Sequence, residues 1–265
     1  MRILWIDPIV EDQLYTDALQ TAFAASRRPD TEVDILSLPP GPRPRHLRYH
    51  AYEALVMADI VTAVYRFADD YDGFVIGCFY DLALREAREV SGRAIVTAPC
   101  QSSLAIASHL GNSFSVLVGA SKAIAKMSEN IHSYGYGHRL RSMRPLNMNV
   151  LDFQAQAGRA LEAMLREGRR AVEDDGAEVI ILGCSAEVGF HQTLQEELGV
   201  PVIDSALAPF KYAEFLAEAA KRFGWQPSRR WGSEAPPQGE IKQWGLFQTD
   251  EPEPRTLIKK EMETT

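Results

Sequence analysis

No stretch of this chain approaches the roughly 18–20 consecutive apolar residues of a membrane-spanning helix, so no membrane role is expected. The N-terminus opens on the strand-like Arg2-Ile3-Leu4-Trp5-Ile6 without the charged, apolar and cleavage segments of a secretory signal. A cytoplasmic protein is the expectation. Basic charge is also short: 28 Lys and Arg stand against 36 Asp and Glu, a net charge of −8. That balance argues against nucleic acid or an anionic membrane as a partner. The longest basic cluster, Arg43-Pro44-Arg45-His46-Leu47-Arg48, is too local to face a duplex. Cysteine is scarce and odd in number, with Cys78, Cys100 and Cys184 far apart. This spacing makes no disulfide framework, and without a CxxC pair or a Cys/His cluster no structural zinc is expected. Phosphate-cradling and dinucleotide motifs are absent too, so neither a cofactor nor a metal is expected. The implied partner is a small molecule, and the thiols are expected to be reduced and available for chemistry.

What the chain does have is length and alternation. Its 265 residues are 46% hydrophobic, ample for a core. Strand-like runs fall near 2–6, 32–36, 73–77, 94–97, 114–118, 142–146, 178–182 and 201–203. Helical patterns lie between them near 11–26, 49–69, 81–90, 101–110, 121–134, 153–174, 186–198 and 207–223. Runs such as Phe74-Val75-Ile76 and Val179-Ile180-Ile181-Leu182 are apolar without alternation, as suits strands covered on both faces. Repeated β-α alternation predicts an α/β fold with parallel sheets and right-handed crossovers. Beyond about Gly224 the pattern stops. Residues 224–265, rich in proline and charge, read as an extended tail, flexible or wrapped over a neighbouring surface.

An internal repeat lies within this alternation. Phe74-Val75-Ile76-Gly77-Cys78 leads through a helix to Gly92-Arg93-Ala94-Ile95-Val96, and Ile180-Ile181-Leu182-Gly183-Cys184 leads through a helix to Gly199-Val200-Pro201-Val202-Ile203. Any two βαβ units share that outline. The Gly-Cys pair at the same strand end in both favours duplication. In open parallel sheets ligands bind beyond the carboxyl ends of the strands, which is where Cys78 and Cys184 fall. A thiol at the start of the following helix is expected to have a lowered pKa, and Gly77 and Gly183 would permit a tight turn and close approach of a ligand. Two facing thiols suit a two-base proton transfer, in which one removes a proton from a carbon acid and the other delivers one to the opposite face. N–H groups at the helix starts would stabilise the enolate oxygen.

The blocks Phe74–Asp81, Asn149–Phe153 and Asp174–Ser205 resemble the aspartate/glutamate racemase superfamily, most closely its hydantoin racemase branch. The resemblance covers roughly residues 1–220 and includes Gly-Cys-Phe-Tyr-Asp, Val-Leu-Asp-Phe and Asp-Gly-Ala-Glu-Val-Ile-Ile-Leu-Gly-Cys. It implies two similar flavodoxin-like halves with the site in the cleft between them. Residues 1–99 with about 207–223 would form the first half, and 100–206 the second. It also implies cofactor-independent chemistry, puts Cys78 and Cys184 on the family's paired catalytic cysteines, and makes a homo-oligomer the expected state.

Departures from the family pattern mark further candidates. Asp7 stands where hydantoin racemases usually begin Asn-Pro-Asn-Thr, and it is a possible orienter of a thiol or a substrate N–H. Ser185-Ala186-Glu187 replaces the Thr-His that follows the second cysteine in amino-acid racemases. Glu187 there is a possible general base toward water. Phe79 and Ser185, each next to a cysteine, are possible substrate contacts. Gly41-Pro42 is followed by Arg43-Pro44-Arg45-His46 instead of Ser-Ile-Glu, so Arg45 or His46 is a possible partner for a substrate carboxylate; a solvated basic loop is the plainer alternative. Cys100 is either packed in a loop or a third thiol in the cleft. Ser121, after Gly119-Ala120, is a possible anion or carbonyl contact.

Three functions follow. The first is racemisation at C5 of a hydantoin or similar cyclic ureide, with Cys78 and Cys184 as acid and base. The second is a desulfhydrase, hydrolase or lyase acting on a carboxylate-bearing thiohydantoin such as a thiohydantoin propionate. There a thiolate is the nucleophile and Glu187 or Asp7 activates water. The third is a binding protein that has kept the fold, which the presence of both cysteines disfavours.

Overall fold

A strand that is apolar at every position must be covered on both faces, and the chain meets that demand with two sheets. The computed structural model describes residues 1–38, 41–247 and 253–259. The first sheet contains β1 (Arg2–Val10), β2 (Glu32–Leu38), β3 (Gly73–Ile76) and β4 (Ile95–Thr97). The second contains β5 (Phe114–Val118), β6 (Leu140–Pro145), β7 (Val179–Leu182) and β8 (Val202–Ile203). Their spatial orders are β2-β1-β3-β4 and β6-β5-β7-β8, parallel throughout. Each half is thus wound 2-1-3-4, the flavodoxin-like order. The two Gly-Cys pairs follow the equivalent strand, the third, of two sheets with the same winding.

Alternate residues of one strand enter different apolar clusters. Leu4 and Ile6 of β1 join one cluster and Ile3 and Trp5 the other; Val179 and Ile181 of β7 are divided from Ile180 and Leu182 in the same way. The covering helices are α1 (Gln13–Ser26), α2 (His50–Arg66), α3 (Leu84–Val90), α4 (Pro99–Leu110), α5 (Ala123–Ser133), α6 (Asp152–Ala155), α7 (Ala157–Glu173), α8 (His191–Leu198) and α9 (Leu207–Phe223). After the second sheet is complete, α9 returns to pack on β3 and β4 of the first. Among the described residues no helix is long and apolar enough to cross a membrane.

Three elements differ from the sequence expectation. The helix expected over 153–174 is broken at Gln156 (φ −126°, ψ 47°), which separates α6 from α7. The one expected over 186–198 begins as a 3-10 turn at Ser185–Glu187, and α8 starts only after Gly189, at φ +90°. The tail has regular structure of its own, in α10 (Gln238–Trp244) and β9 (Arg255–Ile258). β9 adds to the first sheet antiparallel to β2, buries Leu257, and accepts a hydrogen bond from Gln20 Nε2 at the Leu257 carbonyl (3.3 Å). An edge strand leaves a row of unpaired backbone groups, and β9 covers that of β2.

Candidate active site

The two cysteine turns are built alike because the sheets that carry them are. Gly77 N–H donates to the Ile6 carbonyl of β1 (2.8 Å), and Gly183 N–H to the Leu117 carbonyl of β5 (2.7 Å). Three residues past each cysteine an acid closes the turn: Asp81 N–H donates to the Cys78 carbonyl and Glu187 N–H to that of Cys184, both at 2.9 Å. The glycines are needed for close packing within the protein, and both also line the cleft. A Cβ on Gly183 would lie 2.4 Å from the Leu117 carbonyl oxygen, and one on Gly77 2.7 Å from the Trp5 ring. Neither glycine has a positive φ.

Both thiols face one cleft of about 910 Å³, its mouth included. The first half contributes Asp7, Ile9, Tyr15, His46, Arg48, Phe79 and Tyr80; the second contributes Gly119, Ala120, Met127, Leu151, Gln154 and Ser185. Hydrogen bonds tie the halves together around it. Ser185 Oγ donates to the Gly77 carbonyl (2.9 Å), Asn130 Nδ2 to the Tyr80 carbonyl (2.7 Å), and Arg48 to the Met148 carbonyl (2.9 Å) and Asn149 Oδ1 (3.0 Å). The break at Gln156 lets α6 lean over the second turn, where Gln154 Nε2 donates to the Ala186 and Val188 carbonyls.

The electrostatics run against a preformed thiolate. Cys78 is followed by two left-handed residues, Asp81 and Ala83, before α3 begins at Leu84, so no helix dipole points at its sulfur. Burial pushes its thiol up to about 12, although the Tyr80 N–H pulls the other way. Burial raises Cys184 as well and neighbouring Glu187 adds to the effect, while the Ala186 N–H and Arg48 oppose it. The expectation of a lowered thiol pKa is therefore corrected: each cysteine precedes a tight turn rather than an α-helix.

A model of the Asp/Glu/Hydantoin racemase family matches residues 13–213. The chain belongs to that family. It is similar to a hydantoin racemase of Pseudomonas sp. (strain NS671), 32% identical over 88% of this chain and 93% of the relative. It is also similar to a hydantoin racemase of Paenarthrobacter aurescens, 32% identical over 86% of this chain and 94% of that one. Among solved structures, allantoin racemase from Klebsiella pneumoniae superposes with a TM-score of 0.81 at 25% identity, over 90% of this chain and 94% of the other. The chain's activity class is that of an isomerase of the racemase type.

Within this racemase-family cleft the other candidate residues separate clearly. Asp7, His46, Phe79 and Ser185 line it with the two cysteines. Arg45 is exposed and outside the lining; the loop cation that reaches the cleft is Arg48, three residues on. Cys100 is fully buried among apolar residues, and burial raises its thiol pKa. Its backbone N–H is held by Asp81, which accepts from Cys100 N–H (2.8 Å), Gln101 N–H (2.9 Å) and Tyr134 O–H (3.0 Å), and so caps α4 from outside. Ser121 is exposed, and the lining there stops at Ala120 and resumes at Ala123. Glu187 is fully buried behind Cys184, outside the lining. Burial raises its carboxyl well above the usual range, and the Gly183 and Cys184 backbone, at marginal geometry, offsets only part of that.

Tyr15, Tyr80 and Arg48 line the cleft although the sequence did not single them out. Tyr15 sits in helical amphipathic register on α1, where an aromatic is ordinarily core. Only the fold brings it into the cleft that Asp7 and the two thiols also line. Among the described residues no three His, Cys, Asp or Glu side chains gather as a metal-holding group.

Proposed function

We propose that the protein racemises C5 of a hydantoin-type cyclic ureide by proton transfer between Cys78 and Cys184. The observation that carries this is the pair of duplicated Gly-Cys turns opening from opposite halves into one cleft, together with the hydantoin racemases among the relatives. One cysteine, as thiolate, takes the C5 proton, and the other, as thiol, gives its proton to the opposite face. The two sulfurs exchange protonation states in each turnover. A carbon beside a carbonyl carries the resulting charge as an enolate, which a dry, donor-lined site stabilises.

The thiohydantoin alternative needs a base for water. Glu187 is sealed from the cleft, and burial together with Asp12 favours the protonated form of Asp7; both observations speak against it. Two guanidinium nitrogens of Arg48 already donate to Met148 and Asn149, which leaves fewer donors for a carboxylate arm. Ile9, Met127, Val150 and Leu151 offer the C5 substituent an apolar wall instead, so an apolar arm is the better fit. The test is loss of optical rotation from L-5-isopropylhydantoin. Retained rotation with intact protein contradicts the proposal, and sulfide release from a 2-thiohydantoin-5-propionate would favour the alternative.

A further inference from the structure

Most polar side chains of the cleft already have partners. Ser185 Oγ donates to Gly77, Gln154 Nε2 to Ala186 and Val188, Arg48 to Met148 and Asn149, and Asp12 Oδ1 accepts from the Tyr15 N–H of α1. Two fully buried ones do not: Asp7 Oδ2 and the Tyr15 hydroxyl, which the Ser37 and Ser185 hydroxyls approach only at marginal geometry, lack a hydrogen bond of ordinary geometry, on residues 1% and 5% exposed. Among the described residues they are the buried, unpartnered side-chain polar atoms that belong to the cleft lining. A buried polar atom without a partner is costly, and two of them in one binding cleft, near enough to interact electrostatically, await a ligand that supplies both partners.

We propose that Asp7 and Tyr15 form a recognition pair for a cis-amide edge, an N–H and a C=O side by side on a five-membered ring. This rests on the hydantoin reading above and goes beyond it by naming the edge of the ring that is held and the residues that hold it. A carboxylic acid in its neutral form offers a C=O that accepts and an O–H that donates, the complement of such an edge; the Tyr15 hydroxyl supplies a further donor at the carbonyl. Burial favours the neutral form of Asp7. Asp12 and Glu11 in its own loop push the same way, and the Ser37 hydroxyl of β2 opposes them. Tyr15 of α1 and Cys78 at the end of β3 also interact with it, both neutral at rest, and His46, Arg48, Tyr80 and Cys184 share the cleft. An acyclic amide, which is trans, presents its N–H and C=O on opposite sides and fails to fit. The pair therefore selects small rings over open-chain amides.

Binding, rather than turnover, tests this. The affinity of the whole protein for 5-isopropylhydantoin is measured by calorimetry against its N1-methyl and N3-methyl derivatives, which needs no variant. At least one methylated ring is expected to bind about tenfold or more weakly, because a buried acceptor loses its donor. Asp7→Ala and Tyr15→Phe should each weaken the parent ring several-fold. In wild type, affinity should fall as pH rises through the Asp7 pKa, when the carboxylate can only accept. Asp7→Asn, which keeps a donor and an acceptor at every pH, should remove that fall; the ring's own ionisation affects both proteins alike and cancels in the comparison. Parent-like binding of both methylated rings, or of the Asp7→Ala protein, overturns the proposal, as does failure of the parent ring to bind. A ring that binds in this pattern without being racemised contradicts the racemase reading alone.

Discussion

At the scale of residues, the site is two thiols held in equivalent turns, and its weak point is the glycine before each. Gly183→Ala drives a methyl group against the Leu117 carbonyl. It should cost about 1–3 kcal/mol of stability, read as a lower urea midpoint, and lower kcat by displacing Cys184. Cys78→Ser and Cys184→Ser should each reduce racemisation by about 10²–10⁴-fold, measured by polarimetry, with little change in fold. Because burial holds both sulfurs as thiols, kcat should rise with pH above neutrality as the base thiolate forms; a rate flat across that range would contradict a thiolate base. That Cys78 and Cys184 would share one cleft was legible because Gly-Cys recurs at matched strand ends. Their ionisation was not, since a sequence does not reveal that α3 starts six residues after Cys78 rather than at it. Cys100, Glu187 and Arg45 had suitable chemistry and neighbouring positions, but side-chain direction excludes the first two from the cleft and loop geometry the third.

At the scale of elements, regular alternation made eight of the strands and their order along the chain readable, because a parallel strand buried on both faces is apolar throughout. The short breaks were hidden. Gln156 and Gly189 interrupt otherwise helical patterns for reasons of packing over the second cysteine turn, where Gln154 caps the Ala186 and Val188 carbonyls. The last strand was hidden too: β9 is short, follows a proline-rich stretch, and pairs with β2 more than 200 residues away in the chain. It acts as a cover for that edge. Leu257→Ala should cost about 2–5 kcal/mol of stability, read as a lower urea midpoint, while leaving KM unchanged, because Leu257 lies outside the cleft lining. A changed KM with unchanged stability would assign the tail to the site instead.

At the scale of the molecule, two 2-1-3-4 sheets flank a cleft, and the bonds from Arg48, Asn130 and Ser185 tie the two halves together around it. The buried acids give the whole chain an unusual pH response. Asp81 is pushed up to about 7 by burial, and Asp7 and Glu187 are also raised. The unfolded chain sheds these protons near the ordinary carboxylate range, whereas the folded chain keeps them until the raised pKa values are passed. Unfolding therefore releases protons in between, and stability falls as pH rises from about 4 to 7. Stability is expected to be higher at pH 5.5 than at pH 8, by roughly 2 kcal/mol from Asp81 alone, read as a higher urea midpoint, and the reverse order would contradict these assignments. The central claim is the pairing of Cys78 and Cys184 as acid and base on opposite faces of one carbon. Its most direct test is to incubate L-5-isopropylhydantoin with the protein in deuterated water and follow optical rotation and C5 deuterium together. The two-thiol account predicts that rotation decays to zero as deuterium enters C5, and that either single Cys→Ser variant loses the inversion. Undiminished inversion in one of those variants would contradict it.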